Sequence, residues 1–371
     1  MPMPQPMAAL PARSTIRVLQ AGRALAAMMV VLSHSVLPTT HLVQPLPAWL
    51  AAALAHGYLG VDFFFVLSGF IIYYVNHASA GTPGWSRDYA SSRISRIYLP
   101  YWPVGVALAL AYTLRPSLDD GDMGWSWFAT LTLLPVDGAP ALGVAWTLSY
   151  ELMFYALAWL FFRSGHPLRC AALWASVTLL YAAVGAPFAQ PVDLSWRALL
   201  LHPITLEFVF GMLAARAVLS TAPWTVWVSS AVAVVALLCF VLDGMQRVHS
   251  PLLGLAIAGA LVGLVRAEWR GWLRIGPTLL LLGNASYAIY LVHMPLMSLV
   301  ARTTRRLGPL ATWPVNLLLS VSAALLLGVV YHLCYERIAL RHARRLVGTS
   351  RCAVSIFSAM KRRAPRCRPL F

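Results

Sequence analysis

Residues 18–37 read VLQAGRALAAMMVVLSHSVL, a run of apolar and small residues whose only ionisable groups are Arg23 and His34. Twenty residues of α-helix rise about 30 Å, the thickness of a bilayer's hydrocarbon core. A second run of this kind occupies 223–243. In lipid every backbone N–H and C=O must find a partner within the protein, and an uninterrupted apolar run of this length does so as a helix. Over 371 residues, 60% are hydrophobic and only 11% charged, which leaves no room for a large soluble domain. The fold class predicted is an all-α polytopic integral membrane protein.

Hydropathy predicts about ten transmembrane helices, near 18–37, 57–75, 97–115, 144–162, 170–188, 199–217, 223–243, 249–266, 278–300 and 312–334. An even count leaves both termini cytoplasmic. Arg87, Arg93, Arg96, Arg163, Arg169, Arg216, Arg266, Arg270 and Arg274 then fall on inner connections, and Asp119, Asp120 and Asp122 on an outer one. Arg302, Arg305 and Arg306 stand against this pattern on an outer connection. The apolar piece 126–136 is too short to cross and is read as re-entrant or interfacial. The first run follows Arg13, Arg17 and Arg23 without a small-residue cleavage site and is expected to stay as the first span. The domain reading is a cytoplasmic tail at 1–16, a bundle at 17–336 and a basic cytoplasmic tail at 337–371.

A net charge of +16 raises nucleic-acid binding, but the cations lie at the two ends and in short connections, with no recognition module beside them. The ten basic residues from Arg337 to Arg368 read as a tail against anionic headgroups. Cys170, Cys239, Cys334, Cys352 and Cys367 are scattered and odd in number, suggesting neither a disulfide framework nor a metal site.

Ionisable groups inside spans are costly and call for a reason. Here they are Arg23, His34, Asp62, Glu151, His202, Glu207, His293 and His332. Arg23 and His34, eleven positions apart, share one helix face with a rise of about 16 Å between them. They read either as a snorkelling arginine with an interfacial histidine or as two levels of one functional stripe. Asp62, in the run Gly60-Val-Asp-Phe-Phe-Phe-Val-Leu-Ser-Gly-Phe70, enters its span at a depth comparable to His34 and could orient an imidazole base. Arg93 and Arg96, three apart, either set orientation or form a paired guanidinium site for phosphates. Glu151, in Trp146-Thr-Leu-Ser-Tyr-Glu151, needs a partner or a substrate hydroxyl. Ser286, Tyr290 and His293 form a polar stripe that faces the bundle, for interhelical hydrogen bonding or for substrate.

In this order the motifs resemble acyltransferase family 3, the membrane O-acyltransferases of bacterial surface polysaccharides, and most of all its exopolysaccharide-production (ExoZ-like) branch. The resemblance covers about residues 14–340. It implies a multi-pass protein of the bacterial plasma (inner) membrane that moves an acyl group, acetyl first, from cytoplasmic acyl-CoA to a hydroxyl of an extracytoplasmic polysaccharide or glycoconjugate. It places His34 as the catalytic histidine with Arg23 as its paired basic position, and Arg93 and Arg96 on the donor. From the residues themselves, Asp62 or Glu151 is expected to orient His34, Arg23 to flank the donor's arm, and Ser286, Tyr290 and His293 to meet substrate. Acyl-CoA, a surface saccharide or lipid-linked oligosaccharide, the lipid bilayer and polysaccharide-assembly proteins are the implied partners, without a metal. Two features depart from larger members: no extracytoplasmic hydrolase-like domain is appended, and the fourth-span motif has one acidic residue where many relatives have two. A proton-coupled transporter or flippase of saccharide precursors would also use buried His, Asp, Glu and Arg, but broken helices or inverted repeats are not visible.

Overall fold

The computed structural model describes residues 16–118, 124–136, 138–184, 194–242 and 251–345. Residues 1–15 and 346–371 of the two tails, which include Cys352 and Cys367, and Asp119, Asp120 and Asp122 lie outside them. Among the described residues the chain is helical throughout, with one isolated β-bridge between Trp125 and Ala139. Among the described residues, nine stretches are long and apolar enough to cross a membrane: Arg17–Leu42, Ala48–Asn76, Trp85–Leu114, Gly143–Arg163, Trp196–Leu219, Trp224–Leu242, Pro251–Trp269, Pro277–Leu310 and Trp313–Arg345. The remaining predicted span is the 17-residue helix Pro167–Ala183, at the short limit for crossing. This is an all-α polytopic membrane protein.

In chain order the helices are α1 (Arg17–Leu42), α2 (Ala48–Ala55), α3 (Leu59–Asn76), α4 (Trp85–Leu114), α5 (Trp127–Thr132) and α6 (Trp146–Arg163), then α7 (Pro167–Ala183), α8 (Trp196–Leu201) and α9 (Thr205–Leu219). After them come α10 (Trp224–Leu242), α11 (Pro251–Trp269), α12 (Pro277–Thr304) and α13 (Trp313–Tyr331).

Lipid offers no hydrophobic drive between helices, so close backbone approach at small residues holds them together. A Cβ on Gly283 of α12 would fall 2.0 Å from the Gln20 carbonyl oxygen of α1. Gly69 of α3 and Gly211 of α9 close their crossing in the same way, against Phe208 and Val66 backbone. Gly283 beside Gln20, Ser286 beside Arg23 and His293 beside His34 show α1 and α12 running parallel, although more than 250 residues separate them.

The first turn of α1 has no capping side chain of its own at Ile16. Glu268, at the end of α11, takes the role: its Oε1 accepts from Arg17 N at 2.8 Å and its Oε2 from Val18 N at 2.7 Å. Orphan N–H groups at a helix start carry partial positive charge, which a carboxylate answers. Glu268→Ala is expected to cost about 1 kcal/mol. A thermal unfolding midpoint in detergent that does not move would show the cap to be idle.

Helix α4 contains Pro100 and Pro103, each of which withdraws an N–H from the ladder. Pro103 leaves the Leu99 carbonyl without its usual partner, and Tyr335 OH donates to it at 3.1 Å. Tyr331 OH reaches Pro100 O at 2.8 Å, and Tyr287 OH reaches Ile97 O at 3.0 Å. Three tyrosines from α12 and from α13 and its extension thus pin α4 where Arg93 and Arg96 leave it.

Segment 126–136 forms the short α5, capped by Ser126 and ended by Leu133 at φ 58°. Its last carbonyls accept from α4: Tyr98 OH to Thr132 O at 2.5 Å, Tyr101 OH to Thr130 O at 2.9 Å, and Trp102 Nε1 to Leu131 O at 3.0 Å. A non-spanning piece has its free backbone groups satisfied by protein, the condition on which lipid tolerates one.

Candidate active site

A cavity of about 960 Å³ opens between α1, α3, α4, α6, α12 and the extension of α13. At its mouth α13 widens into a π-turn over His332–Glu336 and then continues helically to Arg345. Single π-turns of this kind favour functional sites because they swing side chains out of register. Here the turn buries Glu336 completely, with its carboxylate 3.4 Å from an Arg96 Nη and 2.7 Å from His332 Nδ1. Beyond it, Arg337, Arg341 and Arg344 also line the cavity. The basic stretch read as a headgroup-facing tail therefore begins by walling the bundle's own cavity.

Arg93 stands differently from Arg96. Its guanidinium lies over the rings of Tyr89 and Tyr155, 5.7 and 5.3 Å from their centroids, and its Nε is buried without a hydrogen-bond partner. Aromatic faces tolerate a cation without neutralising it.

Halfway up, Arg23 Nε donates to Ser286 Oγ at 3.1 Å and an Nη to Gln20 at 3.3 Å. Across from it, Glu151 accepts from Tyr155 OH in a short hydrogen bond and from Ser68 Oγ at 3.4 Å. Tyr290 also lines the cavity; its OH donates to Val144 O at 2.9 Å and lies 2.9 Å from Thr147 Oγ1. One helical turn beyond is His293, fully buried, its Nε2 3.2 Å from His34 Nδ1. Arg23 thus lines the cavity, and His34 does not.

Of the residues singled out in the sequence, Arg23, Arg93, Arg96, Glu151, Ser286 and Tyr290 line one cavity. The polar stripe on α12 makes interhelical hydrogen bonds at all three positions, to Arg23, to Thr147 and Val144, and to His34. Asp62 is not brought to His34. It projects from the other face of α3, fully buried in hydrogen-bonding reach of Glu207 on α9. Glu151 does not touch His34 either, being held by Tyr155 and Ser68. His202 lies beside the Tyr150 ring, away from the cavity. Glu336 and Tyr155 were missed. For Glu336 a signal existed: it follows His332 by four residues, the spacing at which side chains meet on a helix.

The chain is similar to known acyltransferases. Residues 16–333 match the family model described as an acyltransferase domain. The exopolysaccharide production protein ExoZ of Rhizobium meliloti (strain 1021) is 30% identical over 307 residues, covering 78% of this chain and 91% of that one. The acyltransferase MdmB of Streptomyces mycarofaciens is 28% identical over 273 residues, covering 64% of this chain and 67% of its own. No solved structure matches. The motif order along α1, α3, α4, α6 and α12 and the family match over most of the length agree, and the chain belongs to acyltransferase family 3, the membrane-bound O-acyltransferases.

Proposed function

We propose that this O-acyltransferase takes an acyl group from acyl-CoA on the cytoplasmic side of a bacterial plasma membrane and places it on a hydroxyl of a saccharide arriving from the other side. The observation that carries the reading is the cavity itself, lined by arginines and by Tyr290, one helical turn from the His293 that meets His34. Its volume lies in the range of cofactor-sized ligand sites. Arg93, with no ion-pair partner among the described residues, suits a phosphate, and Arg96 and the arginines of the α13 extension add positive field around it. The pantetheine arm would run up past Arg23 and Glu151.

In the transfer, His34 Nε2 takes the proton of the acceptor hydroxyl as its oxygen bonds to the thioester carbonyl carbon. The C–S bond then breaks, and the departing thiolate receives the proton from His34. The products are an O-acyl ester and free CoA, with no net proton change. Acetyl is the first candidate for the group moved, and the name of the ExoZ relative supports an exopolysaccharide acceptor.

The test uses membranes with and without the protein, radiolabelled acetyl-CoA, and surface saccharide from the producing cells. Label in the saccharide that alkali releases as acetate, only when the protein is present, is the expected result. Saccharide that crosses the membrane in a protein-dependent way without gaining ester would establish the transporter reading instead.

A further inference from the structure

We infer that His293 is a positioning residue that fixes His34 in the tautomer whose Nε2 carries the free lone pair; the inference rests on His34 being the base of the proposed reaction. The argument is one of proton counting. A carbonyl oxygen only accepts, so His293 Nδ1, 2.6 Å from Tyr290 O, must carry a hydrogen. A neutral imidazole has one such hydrogen, which makes His293 Nε2 an acceptor. That acceptor lies 3.2 Å from His34 Nδ1, and the Val30 carbonyl, a second acceptor, lies 3.1 Å from the same nitrogen. Two lone pairs from two helices converge on His34 Nδ1, so the proton resides there and Nε2 is bare.

The packing holds this arrangement. His293 is completely buried, the two rings are 5.0 Å apart and tilted by 49°, and α1 and α12 run parallel with Gly283 against Gln20. In many acid–base sites a carboxylate orients the histidine. Here the neighbouring carboxyls are committed elsewhere, Asp62 to Glu207 and Glu151 to Tyr155. A neutral imidazole does the same orienting without bringing a second charge into lipid, where an unpaired charge is costly.

The test compares His293→Ala, His293→Gln and His293→Phe in membranes normalised for inserted protein, with labelled acetyl-CoA and surface saccharide. Gln can place an amide oxygen where Nε2 stood; Ala and Phe cannot. The expected result is a 10- to 100-fold fall in kcat for Ala and Phe at unchanged KM for acetyl-CoA, with Gln within a few-fold of wild type. Should the Ala variant fail to insert, Phe, which keeps the ring volume, decides alone. Full activity in Phe, or equal loss in Gln and Phe, overturns the inference. Transfer that survives His34→Ala removes the underlying base assignment instead, and absence of transfer by wild type removes the function, so the three failures are distinguishable.

Discussion

His34→Ala is expected to lower acyl transfer by about 10²–10⁴-fold, the usual contribution of a positioned general base. The fall should appear in kcat alone. His34 does not line the cavity, and the arginines there keep their positions when the imidazole is removed, so acetyl-CoA should still bind. Calorimetric titration of acetyl-CoA into purified wild-type and variant protein checks binding, and label transfer checks the rate. A variant that transfers at near wild-type rate would place the base elsewhere in the bundle.

The second large effect separates two arginines that look equivalent in Ser92-Arg93-Ile94-Ser95-Arg96. Arg93 rests on aromatic rings, and Arg96 is paired with a carboxylate that has no exposed surface. Arg93→Ala removes the proposed charge-assisted contact to the donor, about 1.5–3 kcal/mol, so the KM for acetyl-CoA should rise roughly 10- to 100-fold with little change in thermal stability. Arg96→Ala should also raise KM, but it takes from the buried Glu336 its ion-pair partner; with Arg96 itself 32% exposed, the cost should stay below the about 3–5 kcal/mol of a fully buried pair. The unfolding midpoint should therefore drop for Arg96→Ala and hold for Arg93→Ala. A drop in both, with KM unchanged in either, would make the pair structural.

How far the sequence can be read depends on distance along the chain. Hydropathy located the spans because burial in lipid acts on each helix by itself. Periodicity put Arg23 and His34 on one face of α1 and Ser286, Tyr290 and His293 on one face of α12, because a helix fixes its own angular spacing. What periodicity leaves open is which helix stands opposite. Asp62 and His34 are at comparable depth in the sequence reading, yet α3 turns the carboxylate toward Glu207, 145 positions later. The orienter of His34 comes from 259 positions away and the cap of α1 from 251, through contacts that leave no local mark. Glu336 escaped for a different reason: it lies just past the hydropathy limit of the last span, in a π-turn that no apolar pattern signals.

The parallel pairing of α1 with α12 bears on how the protein is made. Arg23 finds Ser286 only after a further 263 residues have been added, and His34 waits 259 for His293. At ribosomal speeds of about 5–20 residues per second, the interval is on the order of 10–50 s. For that time the first helix holds a guanidinium and an imidazole in or near lipid without their final partners, at a cost that favours shielding by the insertion machinery or by early neighbours such as α3. Helix α1 is among the last to reach its finished environment, and premature release of a truncated product would expose the residues on which the proposed chemistry depends.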